Sequence, residues 1–472
     1  MNLPPNKTKI VATIGPASDA PEMLERLIRA GLNVARLNFS HGDFAGHADR
    51  IERIRAAEKA TDRSVTIMAD LPGPKIRVGK IEPGPIQLAH GDLFTLTSED
   101  IIGDARRVSM SFEPLPRVVK TGDRLFLNDG LIQLLVESVL GNDVHCRVAV
   151  GGELSSKKGL NLPGINLGIS AFTDHDRKCL EFALAHGVDA VSQSFVERAS
   201  DMDAVRTAAA ELGKRPFLIA KIERSDALIN LEEILRASDG IMVARGDLGV
   251  EVPIEQMAVI QKQMIAKAAA AGKPVITATQ MLESMTNSRL PTRAEATDVA
   301  NAILDGTDCV MLSGESAIGK FPEESVAMLA RIAVSAEAYR ESAQRPAYGF
   351  ATPVNADESI ASVVEHAIQV EQTSGVFIPT HSGTTARMIS RYKPRVWIVA
   401  VSHEAQVCAG LAFSFGVIPI HSETEPADWR AFIESWLREH GVIPGVAILL
   451  SGPSKQQPDA NHRVEFLRFS RS

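Results

Sequence analysis

Eight short runs of apolar and β-branched residues alternate with longer helical patterns over the first two thirds of the chain. The runs are KIVATIG (9–15), VARLNFS (34–40), VTIMAD (65–70), AVSQSFV (190–196), FLIAKIE (217–223), IMVARGD (241–247), VITATQ (275–280) and CVMLSGE (309–315). Strands that alternate with helices predict βαβ units and a parallel sheet. Eight such units in succession favour a closed (β/α)8 barrel, a TIM barrel, over the alternative of an open doubly wound sheet.

The alternation is interrupted once, between Asp70 and about Ser170. This interval carries the turn signals PGP, HGD, TGD and NDG between short alternating runs, which predict an all-β insertion after the third strand. After the predicted linker QRPAYGFATPVNAD (344–357), four further apolar runs alternate with helical stretches. The predicted domains are a catalytic barrel of residues 1–70 and 170–340, an inserted β-barrel lid domain of residues 71–169 and a C-terminal α/β domain of residues 341–472.

Charge and cysteine content exclude several classes of protein. The net charge of −8, without a long basic block, argues against nucleic acid or an anionic membrane as a partner. The four cysteines are far apart, with no CxxC spacing, as in the reduced thiols of a cytoplasmic protein. No GxxxxGK[ST], GxGxxG or HExxH motif occurs, which argues against P-loop kinases, Rossmann dehydrogenases and HExxH metalloproteases. We therefore expect a cytoplasmic protein without a membrane segment.

Polar residues follow the apolar part of each run. The carboxyl ends of the strands carry the active site in (β/α)8 barrels, and residues two apart on a strand share a face. The groups expected to share a face are Arg36, Asn38 and Ser40 on the second run, Lys221 and Glu223 on the fifth, and Thr277 and Thr279 on the seventh, with Asp70, Asp247 and Glu315 at the ends of three more runs. These side chains should therefore gather at one end of the barrel.

Lys221, Glu223 and Asp247 form the most informative group. Two carboxylates held close together suit a hard divalent ion such as magnesium, which prefers oxygen ligands and retains several waters. A lysine beside that ion stabilises negative charge on a transferring group. The alternatives are a structural ion pair for Lys221 and Glu223, and a helix N-cap for Asp247. Charges at successive strand ends favour the metal site.

Seven motifs in order identify a family resemblance. They are KIVATIGPAS, NVARLNFSHG, KKGLNLPG, AKIER, SDGIMVARGDLGVEVP, ITATQMLESM with PTRAE, and VMLSGESAIGKFP. In these stretches the chain resembles pyruvate kinase over nearly its whole length. The resemblance implies the last step of glycolysis, in which the phosphoryl group of phosphoenolpyruvate passes to ADP and gives pyruvate and ATP. It also implies dependence on Mg²⁺ or Mn²⁺, a homotetramer and allosteric control.

The resemblance assigns roles to matching positions around the substrate. Lys221 would neutralise the transferring phosphoryl group and the enolate oxygen, and Arg36 would hold the phosphoryl group. Glu223 and Asp247 would bind the magnesium ion. The backbone around Gly246 would meet the substrate carboxylate at the start of a helix.

Further positions match the catalytic and nucleotide-binding residues of the family. Thr279 would lie by the face on which the enolate is protonated. Asn38, His41 and Lys158 would contact ADP, and the NDG segment with Asp129 would close over it. Such a closure excludes water from the phosphoryl transfer.

One stretch departs from the family pattern in an informative way. Many members need a potassium ion, held by residues that match Asn38, Ser40, Asp70 and the carbonyl of Leu71, near a glutamate. Here ADLPGPKIRVG has Leu71 in place of the usual threonine and Lys75 in place of the glutamate. A fixed ammonium group would replace the mobile cation, so we expect activity without potassium. The alternative is that Lys75 is a solvated lysine.

The stretch PTHSGTTARMISRYKP predicts a turn between a strand and a helix in the C-terminal domain. Hydroxyls and free N–H groups at a helix start form a phosphate cradle, and the family often binds a sugar-phosphate activator there. The candidate residues are Thr380, Ser382, Gly383, Thr384 and Thr385. An ordinary capped turn is the alternative. The final loop, SGPSKQQPDANHR (451–463), lacks the tryptophan and glycine-rich pattern of members that respond to fructose bisphosphate, so the effector is left open.

Two other functions fit part of the pattern. A metal-dependent aldolase or lyase acting on a pyruvate enolate also needs a barrel, magnesium and a nearby cation, but the β insertion and Lys221 argue against it. A metabolite sensor with an inactive site would have lost Lys221, Glu223 or Asp247. Glu197 stands where relatives often carry arginine, and the sequence assigns it no consequence.

Overall fold

The computed structural model describes residues 3–342, 355–452 and 461–470. The predicted linker and the final loop lie largely outside these residues. The chain begins with β1 (Lys9–Thr13), α1 (Pro21–Ala30), β2 (Val34–Asn38), α2 (Phe44–Thr61) and β3 (Thr66–Leu71). The insertion follows with β4 (Ile86–Leu88), β5 (Leu93–Thr97), β6 (Arg107–Ser109), α3 (Leu115–Val118), β7 (Arg124–Leu127), β8 (Ile132–Leu140), β9 (Asp143–Val150), β10 (Gly152–Leu154) and β11 (Leu160–Asn161).

The alternation of strands and helices then resumes. Its elements are α4 (Asp174–Ala185), β12 (Ala190–Gln193), α5 (Ala199–Glu211), β13 (Phe217–Ile222), α6 (Ser225–Ile229), α7 (Leu231–Ala237), β14 (Gly240–Ala244), α8 (Arg245–Glu251), α9 (Met257–Ala270), β15 (Val275–Ala278), α10 (Arg293–Leu304), β16 (Cys309–Leu312), α11 (Gly314–Ala317) and α12 (Pro322–Ser342). The C-terminal elements are α13 (Ala356–Val370), β17 (Thr373–Pro379), α14 (Thr384–Ser390), β18 (Ile398–Ser402), α15 (Ala405–Leu411), β19 (Val417–His421), α16 (Trp429–Glu439), β20 (Val446–Ser451) and β21 (Arg463–Arg468).

Eight parallel strands close into a barrel in the order β1-β16-β15-β14-β13-β12-β3-β2. The predicted (β/α)8 barrel is confirmed, and the open sheet is excluded. Inward-facing apolar side chains fill the barrel in successive layers, as barrels of this size require. They include Val11, Val34, Met68, Ile219, Met242 and Ile276.

The insertion is an all-β unit with its own core. A sheet in the order β11-β7-β8-β9-β5-β6 is accompanied by the β4–β10 pair. Asn128 and Asp129 join β7 to β8 with φ values of 53° and 55°, and Gly130 follows at 88°. Successive residues with positive φ are typical of tight hairpin turns, which explains the NDG sequence.

The C-terminal domain is a five-stranded sheet in the order β19-β18-β17-β20-β21. β17 to β20 lie where four apolar runs predict strands, and β21, which pairs antiparallel with β20, was missed. β21 is an edge strand, and its sequence RVEFLR is mostly exposed. Charged edge strands lack the continuous apolar run that marks buried ones, so the pattern gave no signal.

Residues that follow α15 close the base of the barrel. Phe413 stacks on Phe217 with ring centroids 5.2 Å apart and belongs to the same buried cluster as the barrel interior. Beside it, Lys393 Nζ lies 2.5 Å from Asp308 Oδ1, and both residues are buried. The C-terminal domain is therefore joined to the barrel by an apolar plug and a buried ion pair.

Replacing Lys393 by methionine should destabilise this junction by about 3–5 kcal/mol, because Asp308 would remain buried without its cation. The measurement is the free energy of unfolding in urea. Lys262→Met is the matched control, since Lys262 forms an exposed ion pair with Asp305 and should cost less than about 1 kcal/mol. Equal losses in both variants would contradict the role given to the buried pair.

No disulfide links the four cysteines, all of which lie in the described ranges. Within the same ranges, no helix has both the length and the apolar character that crossing a membrane requires.

Candidate active site

A layer of polar side chains lies on top of the apolar barrel interior. Each of its members comes two residues after an inward-facing apolar or small residue, so it points into the mouth at the carboxyl end of the strands. The members are Thr13 on β1, Arg36 on β2, Asp70 on β3, Ser192 on β12 and Lys221 on β13. Of the predicted strand-end residues, the structure thus brings Arg36, Asp70 and Lys221 together.

Asp70 is the centre of this layer. Its Oδ2 accepts a hydrogen bond from Arg36 Nε at 2.8 Å, and its Oδ1 accepts one from Ser192 Oγ at 2.7 Å and lies 3.3 Å from Lys221 Nζ. Burial raises the pKa of the Asp70 carboxyl, but the positive charges of Lys221 and Arg36 outweigh it and hold the pKa below its ordinary value. One ionised carboxylate therefore holds two cations side by side at the mouth.

Lys221 and Glu223 form a close ion pair, with Nζ 2.9 Å from Oε1. Burial lowers the pKa of Lys221, but the charges of Asp70 and Glu223 raise it above its ordinary value, so the side chain remains an ammonium ion. Lys221 Nζ also donates to Ser194 Oγ at 2.6 Å, and the backbone N–H of Phe195 donates to Glu223 Oε2 at 2.8 Å. The Lys221–Glu223 ion pair, which was the structural alternative to a metal site, is thus present, and it lies among the polar side chains at the mouth of the barrel.

Glu223 and Asp247 repel each other at the mouth. Glu223 is only 2% exposed; burial raises its pKa, and the charge of Asp247 raises it further despite the opposing effect of Lys221. A divalent cation would relieve this repulsion, so the donor pair fits such an ion. No cluster of three or more His, Cys, Asp or Glu side chains that could hold a metal occurs in the described part of the chain. Further ligands would have to come from substrate and water.

The positions of two acidic residues differ from the prediction. Asp247 is the third residue of α8, and the residue in the N-cap position of this helix is Ala244, so the capping alternative for Asp247 is wrong. Glu315 lies in α11, where its carboxylate accepts the backbone N–H groups of Leu282 and Ser313 at 3.0 and 2.8 Å. In both runs the strand ends earlier than the alternation of side chains suggested, because the chain turns into a helix at the mouth of the barrel.

Thr279 follows β15 with a φ of 66°, which breaks the alternation assumed for Thr277 and Thr279. Thr277 instead bonds to Thr307 through their hydroxyls at 2.9 Å, away from the mouth. Thr279 Oγ1 accepts the Gly246 N–H at 2.7 Å, and Arg245 donates to its carbonyl at 2.7 Å. Positive φ is rare for a β-branched residue and is typical of functional sites.

His41, one of the residues predicted to contact the nucleotide, lies beside a group of cations. Partial desolvation lowers the pKa of His41, and the charges of Arg77, Lys75 and Arg36 lower it further. Asn38, at the end of β2, accepts the Ser40 backbone N–H at 3.1 Å. Excess positive charge at this position favours an anionic ligand.

The tip of the β7–β8 hairpin approaches the mouth from the inserted domain. A Cβ atom at Gly130 would lie 3.3 Å from Val250 Cγ2, so the NDG turn meets α8 closely. Asp129, beside this contact, is exposed. Lys158, in the same domain, is half-buried, and its carbonyl accepts the Val78 N–H at 2.9 Å. The inserted domain thus reaches the helix that carries Asp247.

The predicted monovalent-cation residues are near one another in the fold, but several have protein partners. Asp70 is occupied by Arg36 and Lys221, Leu71 is the buried last residue of β3, and Ser40 lies in the turn beyond β2 rather than on the strand. Lys75 is half-buried and forms no ion pair with any residue that the structure describes. Its ammonium is close enough to influence His41, which adjoins Ser40.

The sequence reasoning missed Ser192, Ser194 and Arg224. The two serines alternate within AVSQSFV, so the period-two rule applied to the other strands could have found them. Arg224 is buried and donates to the Ile165 carbonyl in the segment that returns from the inserted domain, at 2.9 Å. Its guanidinium also lies 3.6 Å from the carboxylate of Glu197, the residue that departs from the family pattern. Glu197 is therefore close to the segment that returns from the inserted domain.

The predicted effector turn lies between β17 and α14, and its polar groups bond to one another. Thr380 Oγ1 accepts the Gly383 N–H at 2.9 Å, and the Ser382 and Thr384 hydroxyls are 2.9 Å apart. Thr385 Oγ1 donates to an Asp357 carboxylate oxygen at 3.1 Å. These bonds are those of a capped turn, and phosphate binding there remains a prediction.

Comparison with known families and proteins gives consistent matches along the chain. A family model described as "Pyruvate kinase, barrel domain" matches residues 5–326, and one described as "Pyruvate kinase, alpha/beta domain" matches residues 358–460. A pyruvate kinase of Thermococcus litoralis is 50% identical over 424 residues, which are 89% of each chain. Pyruvate kinase 2 of a Synechocystis species is 46% identical over 420 residues, 88% of this chain and 71% of the relative.

A solved structure agrees with the whole architecture. The crystal structure of a pyruvate kinase from Cryptosporidium parvum superposes with a TM-score of 0.90 at 36% sequence identity. The match covers 98% of this chain and 96% of the other. Both the barrel and the separate C-terminal domain are thus shared.

Proposed function

The chain belongs to the pyruvate kinase family, and we propose that it transfers the phosphoryl group of phosphoenolpyruvate to ADP with a divalent cation at Glu223 and Asp247 and without a potassium ion. The observation that carries the proposal is the pair of cations, Arg36 and Lys221, held together on Asp70 beside that carboxylate pair. Two adjacent cations can bind a dianionic phosphoryl group and neutralise its charge during transfer.

The reaction breaks the bond between phosphorus and the enolate oxygen and forms one to a terminal phosphate oxygen of ADP. Arg36 holds the phosphoryl group, and Lys221 neutralises the charge that develops on it and on the enolate oxygen. A Mg²⁺ or Mn²⁺ ion held by Glu223 and Asp247 would supply further positive charge to offset that of the phosphoryl group. The enolate then takes a proton, which comes ultimately from water, at its terminal carbon on the face beside Thr279. The backbone around Gly246 meets the substrate carboxylate.

The ADP side of the site comprises Asn38, His41 and Lys158, with Asp129 on the lid. Lys75 and Arg77 form no ion pair with a residue that the structure describes, and their positive charge near His41 supports phosphate binding there. The hairpin tip lies against α8, so the inserted domain is placed to cover the site, and closure over ADP would exclude water during transfer.

A coupled assay tests the overall function. Purified protein supplied with phosphoenolpyruvate, ADP and MgCl2 should produce pyruvate and ATP in equal amounts. Omission of ADP should stop pyruvate production. A second assay supplies pyruvate and an aldehyde, or their condensation product. If the protein forms or cleaves that product, and leaves phosphoenolpyruvate unused in the first assay, the aldolase or lyase alternative is correct.

The Lys75 ammonium is near His41, and the Asp70 carboxylate is already neutralised by Arg36 and Lys221. The site therefore has its positive charge from side chains, and activity should not depend on potassium. In tetramethylammonium buffer, KCl should leave the rate unchanged. Lys75→Glu should lose activity and regain it on KCl addition, with a rise of about tenfold or more.

Lys178→Glu is the control for this experiment, because Lys178 is exposed on α4 and the substitution changes charge equally. It should remain indifferent to KCl. A strong activation of the unmodified protein by KCl would defeat the proposal, whatever the variant does.

The effector turn of Thr380, Ser382, Thr384 and Thr385 is proposed to take the phosphate of a sugar-phosphate activator. Support comes from its four hydroxyls and its position between β17 and α14. Binding would require the hydroxyls to exchange their present bonds for bonds to phosphate. The homotetramer implied by the family is likewise a proposal, which the mass of the protein in solution tests.

A further inference from the structure

The junction between the inserted domain and the barrel contains a small cavity of about 20 Å³, which is large enough for one water molecule. Lys75 lines it on the chain that leaves the barrel after β3, and Leu160 lines it in the last strand of the inserted domain. The remaining wall includes Arg224, Asp247 and Glu251. The two chain connections of the inserted domain thus meet residues beside the proposed metal site.

Arg224 holds the chain that returns from the inserted domain. We call this chain, residues 162–173 between β11 and α4, the return segment. Arg224 is only 4% exposed, and its Nη2 donates to the Ile165 carbonyl at 2.9 Å and to the Leu162 carbonyl at 3.4 Å. Leu162 and Ile165 belong to the buried apolar core of the inserted domain. A movement of the inserted domain would therefore displace the acceptors of Arg224.

Arg224 also lies against both elements that carry the proposed metal ligands. It directly follows Glu223 in the chain, just after β13. Its Nε is 3.6 Å from Oε2 of Glu251, the last residue of α8, and Asp247 lies one turn earlier on the same face of that helix. Burial raises the pKa of Glu251, and the charge of Arg224 opposes this increase. The guanidinium is thus placed between the inserted domain and the two carboxylates.

The hydrogen bonds of this group are incomplete. Arg224 Nε and Glu251 Oε1 are buried, and neither has a hydrogen-bond partner among the residues that the structure describes. Buried polar atoms without such a partner cost free energy, and hydrogen bonds at active sites often shorten only when ligands bind. A small approach of α8 to Arg224 would pair both atoms. The group is therefore suited to a shift that accompanies ligand binding.

Glu197 supplies a second carboxylate to Arg224. Its Oε1 is 3.6 Å from Arg224 Nη2, and its side chain is mostly buried. Burial raises the pKa of Glu197, and the charge of Arg224 opposes this increase. An arginine at this position, as in many relatives, would repel Arg224. The departure from the family pattern at Glu197 therefore complements Arg224.

We propose that Arg224 is a positioning residue that couples the inserted domain to the metal site. It ties the return segment to Glu251 on α8 and to the chain at Glu223, so that fixing Glu223 and Asp247 with a metal ion also fixes the return segment. Coupling of this kind is reciprocal, so an inserted domain held in place strengthens metal binding. The inference rests on the proposed function, because it requires the divalent cation at Glu223 and Asp247.

The test removes this connection and leaves the net charge of the site unchanged. Arg224→Met with Glu251→Gln replaces the ion pair by neutral side chains in the full-length protein. Mn²⁺ affinity, measured by the electron paramagnetic resonance signal of free Mn²⁺, should fall about tenfold. Hydrogen exchange of peptides from the return segment should slow when Mn²⁺ is added to the unmodified protein, and should not respond in the double variant. Neither measurement requires substrate or turnover.

Lys393→Met with Asp308→Asn is the matched control, because it removes a buried ion pair at the base of the barrel. It should keep both the Mn²⁺ affinity and the exchange response. Arg224→Lys keeps the positive charge beside Glu251, but one ammonium group cannot replace a guanidinium that reaches two carbonyls and a carboxylate. It should fold and recover at most a small part of the exchange response, whereas a role limited to charge pairing predicts full recovery.

Equal Mn²⁺ affinities in the two double variants, or the exchange response of the unmodified protein in Arg224→Lys, would overturn the proposal. So would exchange in the return segment of the unmodified protein that Mn²⁺ does not change. If Arg224→Met with Glu251→Gln does not fold, Arg224→Lys decides. Failure of the unmodified protein to bind Mn²⁺ would overturn the proposed metal site and the coupling with it, whereas the other outcomes leave the proposed reaction intact.

Discussion

Lys221→Met is expected to lower kcat about 10³-fold or more while the protein keeps its fold. The side chain is buried, remains an ammonium ion and lies within 3.3 Å of the carboxylates of Asp70 and Glu223. Removing it takes away the charge that compensates the phosphoryl group and the enolate oxygen. The measurement is the rate of pyruvate formation at saturating phosphoenolpyruvate and ADP.

Two companion variants separate this effect from general changes of charge or packing. Lys221→Arg keeps the charge but displaces it, so it should recover only a small part of the rate. Lys178→Met removes an exposed lysine and should leave kcat unchanged. If Lys221→Met retains full activity with an unaltered unfolding temperature, Lys221 has no part in phosphoryl transfer.

Glu223→Gln and Asp247→Asn should each weaken Mn²⁺ binding, by about 10–100-fold, because each removes one of the two carboxylates that the site offers. Binding can be followed by the electron paramagnetic resonance signal of free Mn²⁺. Activity of either variant should recover in part at higher MgCl2, because the remaining carboxylate still binds the ion.

Glu315→Gln is the matched control for the metal experiment. Glu315 is a fully buried glutamate near another strand end, but its carboxylate is occupied by two backbone N–H groups. Its loss should lower stability and leave Mn²⁺ affinity unchanged. Equal losses of affinity in Glu223→Gln and Glu315→Gln would show that the effect is structural.

Metal affinity should also fall as the pH is lowered, because the ion binds the ionised form of Glu223. Burial and the charge of Asp247 raise the pKa of Glu223 in the metal-free protein, so binding releases a proton as the pH approaches that pKa from above. With a folded-state pKa above the unfolded one, the group favours folding below its unfolded pKa. That contribution is lost as the pH rises through the folded pKa. Added Mn²⁺ should therefore raise the unfolding temperature more at neutral than at acidic pH.

The prediction of side-chain direction was correct where the strands were straight. Arg36, Asp70 and Lys221 are on β2, β3 and β13, where a period of two fixes the direction of each side chain. It was wrong at Thr277 and Thr279 and inaccurate at Asp247, where the chain leaves the strand and alternation no longer applies. Ser192 and Ser194 were within reach of the same rule and were overlooked.

Periodicity and ordered motifs are local properties of the chain, and they were enough to predict the barrel, the β insertion, the C-terminal domain and the family. Only the folded chain shows that Asp70 joins Arg36 to Lys221 and that Glu223 and Asp247 repel each other. Each of these depends on distances between residues that are remote in the sequence. Such distances, together with the burial that strengthens every charge, arise only when the chain closes on itself.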